Sequence, residues 1–248
     1  YHTINLTIKK YIMHSHQLQV ESISTVANDV YKIILSSTQP LEYLAGQYCM
    51  IQMGEQDLRP FSIASAPSIS NTIELHIGAV PQNAYAWDVL TQMREQGTIQ
   101  AQIAHGEAHL QANNDSPHPL ALIAGGTGYS YVKSIVHECI AQRFEQDIHV
   151  YWGAKTLAQI YEYDELTALA NAHTNIHFHP VLELQNPNWL GKTGLVHAAF
   201  MQDADTDIAQ YQVYIAGPFA MAKVARDDYF AAGLPAKALF GDAYAYLD

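Results

Sequence analysis

The sequence predicts two domains in succession: an antiparallel β domain of barrel or sandwich type, then an α/β domain on a parallel sheet. Three observations predict it. A chain of 248 residues exceeds what one minimal domain needs and lets each half bury its own core. Short apolar–polar alternations run from Gln17 to about Leu110, and strand-then-helix patterns follow. Between them, Asn113-Asn114-Asp115-Ser116-Pro117-His118-Pro119 collects turn formers and two prolines. The expected domains are therefore 17–113 and 117–248.

In the first domain, Val20–Leu35 supplies strand-forming sequence. Gln47–Met53 and Arg59–Ser65 read as two more strands joined by Gly54-Glu55-Gln56-Asp57. Ile73, Leu75 and Ile77 alternate with Glu74 and His76, while Ile99, Ala101 and Ile103 alternate with Gln100 and Gln102. Period-two alternation of this kind puts apolar side chains on one face of half-buried antiparallel strands. One helix, 84–93, interrupts them.

In the second domain, Leu120–Ala124 reads as a strand. The helix after it carries Val132, Ile135, Val136, Cys139 and Ile140 at i, i+3, i+4, i+7 and i+8. Ile148–Gly153, Ile176–Leu182 and Val213–Ala216 are further strands, each followed by a helical or turn-rich segment. Such alternation predicts a parallel sheet covered by helices on both faces.

Composition narrows the function. Hydrophobic residues make up 49% and charged residues 15%, with no low-complexity tract, so the chain folds. Twelve Lys and Arg against twenty-four Asp and Glu give a net charge of −12, which repels nucleic acid and anionic membranes. No apolar run approaches the length of a membrane helix and no secretory signal is visible, so a cytoplasmic protein is expected. Cys49 and Cys139 lie far apart outside any CxxC pair, which excludes an iron–sulfur cluster within this chain. His14-x-His16, His177-x-His179 and His105-Gly-Glu-Ala-His109 invite a metal. Gly106 and the missing helical pattern argue against a zincin-like site, and no metal is expected.

Two motifs carry redox chemistry. Leu58-Arg59-Pro60-Phe61-Ser62-Ile63-Ala64-Ser65 contains a cation, an aromatic edge and a hydroxyl, the groups a flavin needs, although the run also reads as a strand ending at Ala66-Pro67. Gly125-Gly126-Thr127-Gly128 falls between strand and helix, where glycines let the backbone approach a pyrophosphate. There, N–H groups and the helix dipole favour its charge by about 0.3–1 kcal/mol. The spelling is not GxGxxG, and a plain tight turn is the alternative. A second such turn is Tyr214-Ile215-Ala216-Gly217-Pro218-Phe219.

With Arg59–Ser65, Gly125–Gly128 and Ala216–Phe219 in that order and spacing, the chain resembles the ferredoxin–NADP reductase superfamily. Within it, Glu74-Leu75-His76-Ile77-Gly78-Ala79, His105-Gly106-Glu107-Ala108, Ile123–Ser130 and Leu239-Phe240-Gly241-Asp242-Ala243-Tyr244 are similar to bacterial NAD(P)H-flavin reductases, including those that serve luciferase. The resemblance implies a flavin-binding β-barrel followed by a nicotinamide-nucleotide domain, with residues 1–16 as an N-terminal extension. It implies flavin contacts from Arg59, Pro60, Phe61, Ser62, His76, Ile77 and Gly78. NAD(P)H contacts are implied for Gly125, Gly126, Thr127, Gly128, Tyr129, Gly217, Pro218 and Phe219. Ser62 becomes the catalytic candidate, as a positioned hydrogen bond to the flavin N5 region, since no partner that would make it a base is identifiable.

Two departures matter. Ala216 stands where many members have Cys, and Ala79-Val80-Pro81-Gln82-Asn83 lacks the Ser-bearing turn that grips a permanently bound FAD. The implied activity is hydride transfer from NADH or NADPH to FMN, FAD or riboflavin used mainly as a diffusible substrate. A flavin-dependent monooxygenase or luciferase would consume the product. The alternative is a flavoprotein with tightly bound flavin and a protein acceptor. Lys155 and Thr156 occupy a place where a ribose 2′-phosphate could be read, and Phe240, Tyr244 and Tyr246 either cover the site or, for Phe240, form a last strand.

Overall fold

A computed structural model describes residues 15–69, 71–184 and 186–246. Two six-stranded sheets divide them. In the first, β1 (Ser15–Ala27), β2 (Val30–Ser36), β3 (Tyr48–Gln52), β4 (Leu58–Ser62), β5 (Thr72–Gly78) and β6 (Thr98–His105) pair antiparallel in the order β4-β3-β6-β1-β2-β5. The two end strands meet through a single bridge, Ile63 to Leu75, with Ala64 N–H donating to the Glu74 carbonyl at 2.7 Å. The sheet thus closes as a barrel. Ile73, Leu75, Ile77, Ile99, Ala101 and Ile103 all point into its core, as their alternation predicts.

The first strand starts at Ser15, because Ser15 and His16 pair with Gln102 and Ala101. Two residues of the expected extension therefore belong to the barrel ladder, and the rest, with His14, lies outside the described residues. Helix α1 (Ala84–Gln96) begins where the Asn83 side chain accepts the Tyr85 N–H, and plugs the barrel with Ala86, Val89, Leu90 and Met93. It outruns the expected end at Met93 and stops at Gly97, whose φ of 66° supplies the left-handed cap.

The second sheet is parallel throughout. Its strands are β7 (Leu120–Gly125), β8 (Ile148–Ala154), β9 (Ile176–Leu182), β10 (Lys192–Thr193), β11 (Gln212–Ala216) and β12 (Leu239–Phe240), in the order β10-β9-β8-β7-β11-β12. Central β7 is apolar at every buried position because both of its faces are covered. Leu120, Leu122 and Ala124 meet α2 (Tyr129–Ala141) and the side of α3 (Tyr163–Ala172). Ala121 and Ile123 meet α4 (Val196–Ala204) and α5 (Phe219–Ala231). Chain order runs outward from β7 through β8 and β9 on one side, then resumes at β11 on the other. The carboxyl ends of β7 and β11 consequently form a topological switch point, the place where open parallel sheets bind ligands.

Helix α2 is buried on more than its predicted stripe: Tyr131, Lys133 and Ser134 are buried too. The barrel covers them. Ser134 Oγ donates to the Ser65 carbonyl at 2.8 Å, and Tyr131 Oη donates to the Ala108 carbonyl at 2.5 Å. Among the described residues, no helix is long and apolar enough to cross a membrane.

Candidate functional site

A crevice of about 650 Å³ opens between the barrel and the switch point of the parallel sheet. From the barrel it is lined by Pro60, Phe61 and Ser62 at the end of β4 and by His76, Ile77 and Gly78 at the end of β5. From the second domain come Gly125, Gly126, Thr127 and Gly128 after β7, and Gly217, Pro218 and Phe219 after β11. These residues, separated widely in sequence, meet because the barrel seam faces the sheet's carboxyl edge.

The glycine turn is built by close packing. A Cβ on Gly125 would lie 2.7 Å from Met221 Sδ, whereas nothing lies within 4 Å of one on Gly126, whose φ is 55°. The Gly126 carbonyl accepts the indole N–H of buried Trp152 at 3.0 Å, so β8 fixes the turn from behind. Ser130, at the start of α2, is among the crevice residues, and its buried hydroxyl has no hydrogen-bond partner among the described residues. An orphaned polar atom of this kind suits a polar ligand.

Two expected residues sit elsewhere. Arg59 is outside the lining: its guanidinium pairs with Asp57 at 2.6 and 2.9 Å, donates to the Tyr85 carbonyl at 2.5 Å and lies 5.1 Å from the Tyr85 ring centroid. Tyr129 is also outside it, buried and stacked on Trp152 at 3.7 Å between centroids. Lys155 and Thr156 do not line the crevice either. Sequence reasoning missed Tyr48, Asn83, Tyr85, Ser130 and Asp242, and placed Tyr246 only as one alternative. Of these, Asp242 carried a signal, a lone acid in the Gly241-Asp242 turn. Burial pushes its carboxyl up to about 6, against the N–H of Ala108, which stabilises the charge. Phe240 forms β12 beside Tyr214, while Tyr246 reaches the crevice and stays largely exposed.

Behind His76 runs a polar network that joins the domains. His76 Nε2 donates to Glu74 at 2.6 Å, and its Nδ1 pairs with Tyr161 Oη at 2.9 Å. Lys133 Nζ lies 2.9 Å from Glu74 and 2.8 Å from Glu162, and Lys32 pairs with Glu162 from the barrel side. Burial opposes the charge on Glu74, but the His76 hydrogen bond and the Lys133 ammonium outweigh it and hold the carboxyl at about 2. Glu162 is likewise held low against its burial by Lys133, His76 and Lys32, and the two carboxylates raise Lys133 against its own burial. Glu74, His76 and Glu162 are near enough to share a metal ion, yet the Lys133 ammonium already supplies positive charge there. Of the other histidine pairs, His177 and His179 share a face of β9 and engage Asp147 and His149. His105 stacks on Tyr48.

A depressed carboxyl contributes stability that is complete above its unfolded value and is lost as pH falls through its folded one. For Glu74 that window runs from 4.5 down to about 2. Thermal melts of wild-type protein are therefore expected to lose Tm across it, and Glu74→Gln to flatten that slope. An unchanged slope in the variant would contradict the assignment.

A barrel with an aromatic–hydroxyl strand end facing a glycine turn at a parallel-sheet switch point defines a class, the two-domain oxidoreductases of the ferredoxin–NADP reductase superfamily. Comparisons agree at each level. Residues 122–227 match the oxidoreductase NAD-binding domain family. In fold, the chain superposes on a cytochrome P450 reductase from Amycolatopsis with a TM-score of 0.80 at 21% identity, covering 92% of this chain and 69% of that one. It also matches the flavohem-like FAD/NAD binding domain of a nitric oxide dioxygenase from Vibrio cholerae, with a TM-score of 0.75 at 14% identity over 91% and 96% of the two chains. In sequence it is 43% identical over 238 residues to an NAD(P)H-flavin reductase of Vibrio harveyi, covering 93% of this chain and 99% of the relative. It is 43% identical over 235 residues to one of Aliivibrio fischeri, covering 92% and 98%. The chain belongs to the bacterial NAD(P)H-flavin reductases.

Proposed function

We propose that this chain transfers hydride from NADH or NADPH to FMN, FAD or riboflavin, with the flavin as a diffusible substrate rather than a fixed group. The observation that carries the reading is one crevice lined by both platforms, Pro60-Phe61-Ser62 on the barrel and Gly125–Gly128 with Gly217-Pro218-Phe219 opposite. The nicotinamide supplies the hydride and the flavin ring accepts it, so the protein's work is alignment and exclusion of water.

In this reading Phe61 gives the ring an edge to lie against, and the Ser62 hydroxyl offers one positioned hydrogen bond. The glycine turn holds the dinucleotide's pyrophosphate by backbone N–H groups, with the unpartnered hydroxyl of Ser130 buried just behind it. The lining contains no Lys or Arg among the described residues, and Arg59 is already neutralised by Asp57. Phosphate on the flavin thus gains little, which favours recognition through the ring and release after reduction. A flavin-dependent monooxygenase or luciferase is the proposed consumer of the product. The domain division we adopt is 17–113 and 117–248, with two further residues, Ser15 and His16, joining the barrel edge.

The test is NADH and NADPH oxidation by desalted protein with and without each flavin. Activity that appears only on adding flavin, saturates in it, and treats riboflavin and FMN alike is expected. A yellow protein that keeps full activity toward an artificial acceptor without added flavin overturns the substrate reading in favour of a bound group and a protein acceptor. For Ser62→Ala, loss of a ground-state bond of about 1 kcal/mol predicts a roughly fivefold fall in kcat/KM. A fall of about a hundredfold confined to kcat would instead put the hydroxyl in the transition state.

A further inference from the structure

We infer that two crossed ion pairs, Lys32–Glu162 and Glu74–Lys133, latch the barrel to the nucleotide domain, making these four side chains positioning residues for hydride transfer. This rests on the proposed function of the crevice.

Each domain contributes one cation and one anion. Lys32 and Glu74 project from neighbouring strands β2 and β5 of the barrel, whose registers place Lys32 opposite His76. Lys133 comes from α2 and Glu162 from the turn before α3. The pairs are well buried: the side chains of Lys133 and Glu162 are 7% and 4% exposed, and those of Lys32 and Glu74 are 23% and 18% exposed. Burying four charges costs several kcal/mol per ion, and an apolar interface of the same size would adhere as well. Crossed pairs contribute something an apolar interface lacks. They join Lys133–Glu162 at 2.8 Å and Lys32–Glu74 at 3.8 Å, which each domain holds by itself, into one ring of four charges, and only one relative placement of the domains closes that ring.

That placement is transmitted to the reacting groups. Glu74 Oε1 contacts Lys133 at 2.9 Å and His76 Nε2 at 2.6 Å, while Tyr161 of the nucleotide domain takes the other ring nitrogen of His76 at 2.9 Å. The His76 ring, 0% exposed, is therefore held from both domains at once, and its main chain leads directly into Ile77 and Gly78 on the crevice wall. At Gly78 the barrel wall meets the glycine turn, since a Cβ there would lie 3.3 Å from Thr127 Cγ2. Any slip of the latch changes the gap between the Phe61–Ser62 platform and the glycine turn, which is the gap hydride must cross.

Stopped-flow reduction of riboflavin by NADH and by its C4-deuterated form separates this role from a merely structural one, with riboflavin affinity measured in parallel by fluorescence. Because reactivity falls up to about a hundredfold for a misplacement near 1 Å, Lys133→Met is expected to slow the hydride step by about tenfold or more. The isotope effect on turnover rises, and riboflavin affinity stays within about twofold of wild type because the barrel platform is intact. Lys133→Arg restores most of the rate, and Lys32→Met shifts the same step in the same direction by a smaller factor. If Lys133→Met fails to fold by circular dichroism, Lys32→Met, at the more exposed of the two cations, decides by the same readout. Wild-type hydride rates in the folded variants overturn the latch, and so does a loss of riboflavin affinity in proportion to the loss of rate. A wild-type protein that reduces no flavin overturns the reading of the crevice itself, an outcome distinct from active variants that equal wild type.

Discussion

Gly128→Ala is expected to destabilise the protein by about 3 kcal/mol or more, because overpacking against backbone cannot be relieved by a rotamer change. A Cβ there would lie 2.2 Å from the Ala216 carbonyl oxygen, 2.5 Å from its carbon and 2.9 Å from the Gly217 nitrogen. The conformation is not the obstacle, since φ is −56° and ψ is −14°, which any residue adopts. Space is. All three neighbouring atoms are main chain at the end of β11, which is tied to β7 by a ladder from Gln212–Leu120 to Ala216–Ala124. Accommodating one methyl means parting the two strands whose ends form the switch point. For a chain of this size, a loss of that order lowers Tm by roughly 6–12 °C. The KM for NADH should rise together with it, since the glycine turn moves away from Gly217 and Pro218. Gly126→Ala is the internal control: its φ of 55° taxes an L residue by about 1–2 kcal/mol, but the space around it is open. Thermal melts of the two variants that rank them in the opposite order would refute the steric account.

Trp152→Ala is the second large effect. The indole is fully buried, packs face to face on Tyr129 at 3.7 Å and edge-on to Tyr161 at 4.9 Å. Truncating a buried Trp costs about 3–5 kcal/mol from lost contacts and the cavity left behind. The functional part is separable, because the indole N–H also holds the Gly126 carbonyl at 3.0 Å. Trp152→Phe keeps most of the packing and deletes that donor, so it should cost nearer 1 kcal/mol of stability, the usual net worth of one hydrogen bond. It should also raise the KM for NADH severalfold while riboflavin affinity, a property of the barrel, holds. Urea denaturation and initial-rate kinetics on the two variants check both halves. If Trp152→Phe leaves the KM for NADH untouched, the tryptophan supports only the core.

Local periodicity makes most of the architecture legible in the sequence. The Ile73–Ile77 and Ile99–Ile103 alternations point into the barrel, and the Val132–Cys139 stripe lies on the sheet. What periodicity records is one face of one element against one neighbour. It says nothing of the second face that a domain interface buries, which is why Tyr131, Lys133 and Ser134 on α2 were invisible as interface residues. Phe61, Ser62 and the glycine turn, named from contiguous motifs, do line the crevice. Arg59 and Tyr129 belong to the same contiguous stretches and yet turn away. For Arg59 the reason is a competing carboxylate two residues earlier, and for Tyr129 an aromatic partner on the next strand. Tyr48 and Asp242 line the same wall from distant parts of the chain, a juxtaposition that only the closed barrel and the last turn create.

The barrel's closing seam, one bridge long between Ile63 and Leu75, is a short join in the wall of the first domain. Phe61 and Ser62 belong to a strand with a five-residue ladder to β3 on one side and that single bridge on the other. Amide protons of such a strand exchange through local fraying, at a free energy well below that of global unfolding. A flavin lying against Phe61 would span this seam from β4 to the end of β5, and ligands that bind only the intact form slow such opening in proportion to their occupancy. Deuterium uptake at Ile63 and Ala64 should thus report flavin occupancy directly. The substrate would act as a removable rivet in the wall of the domain that binds it.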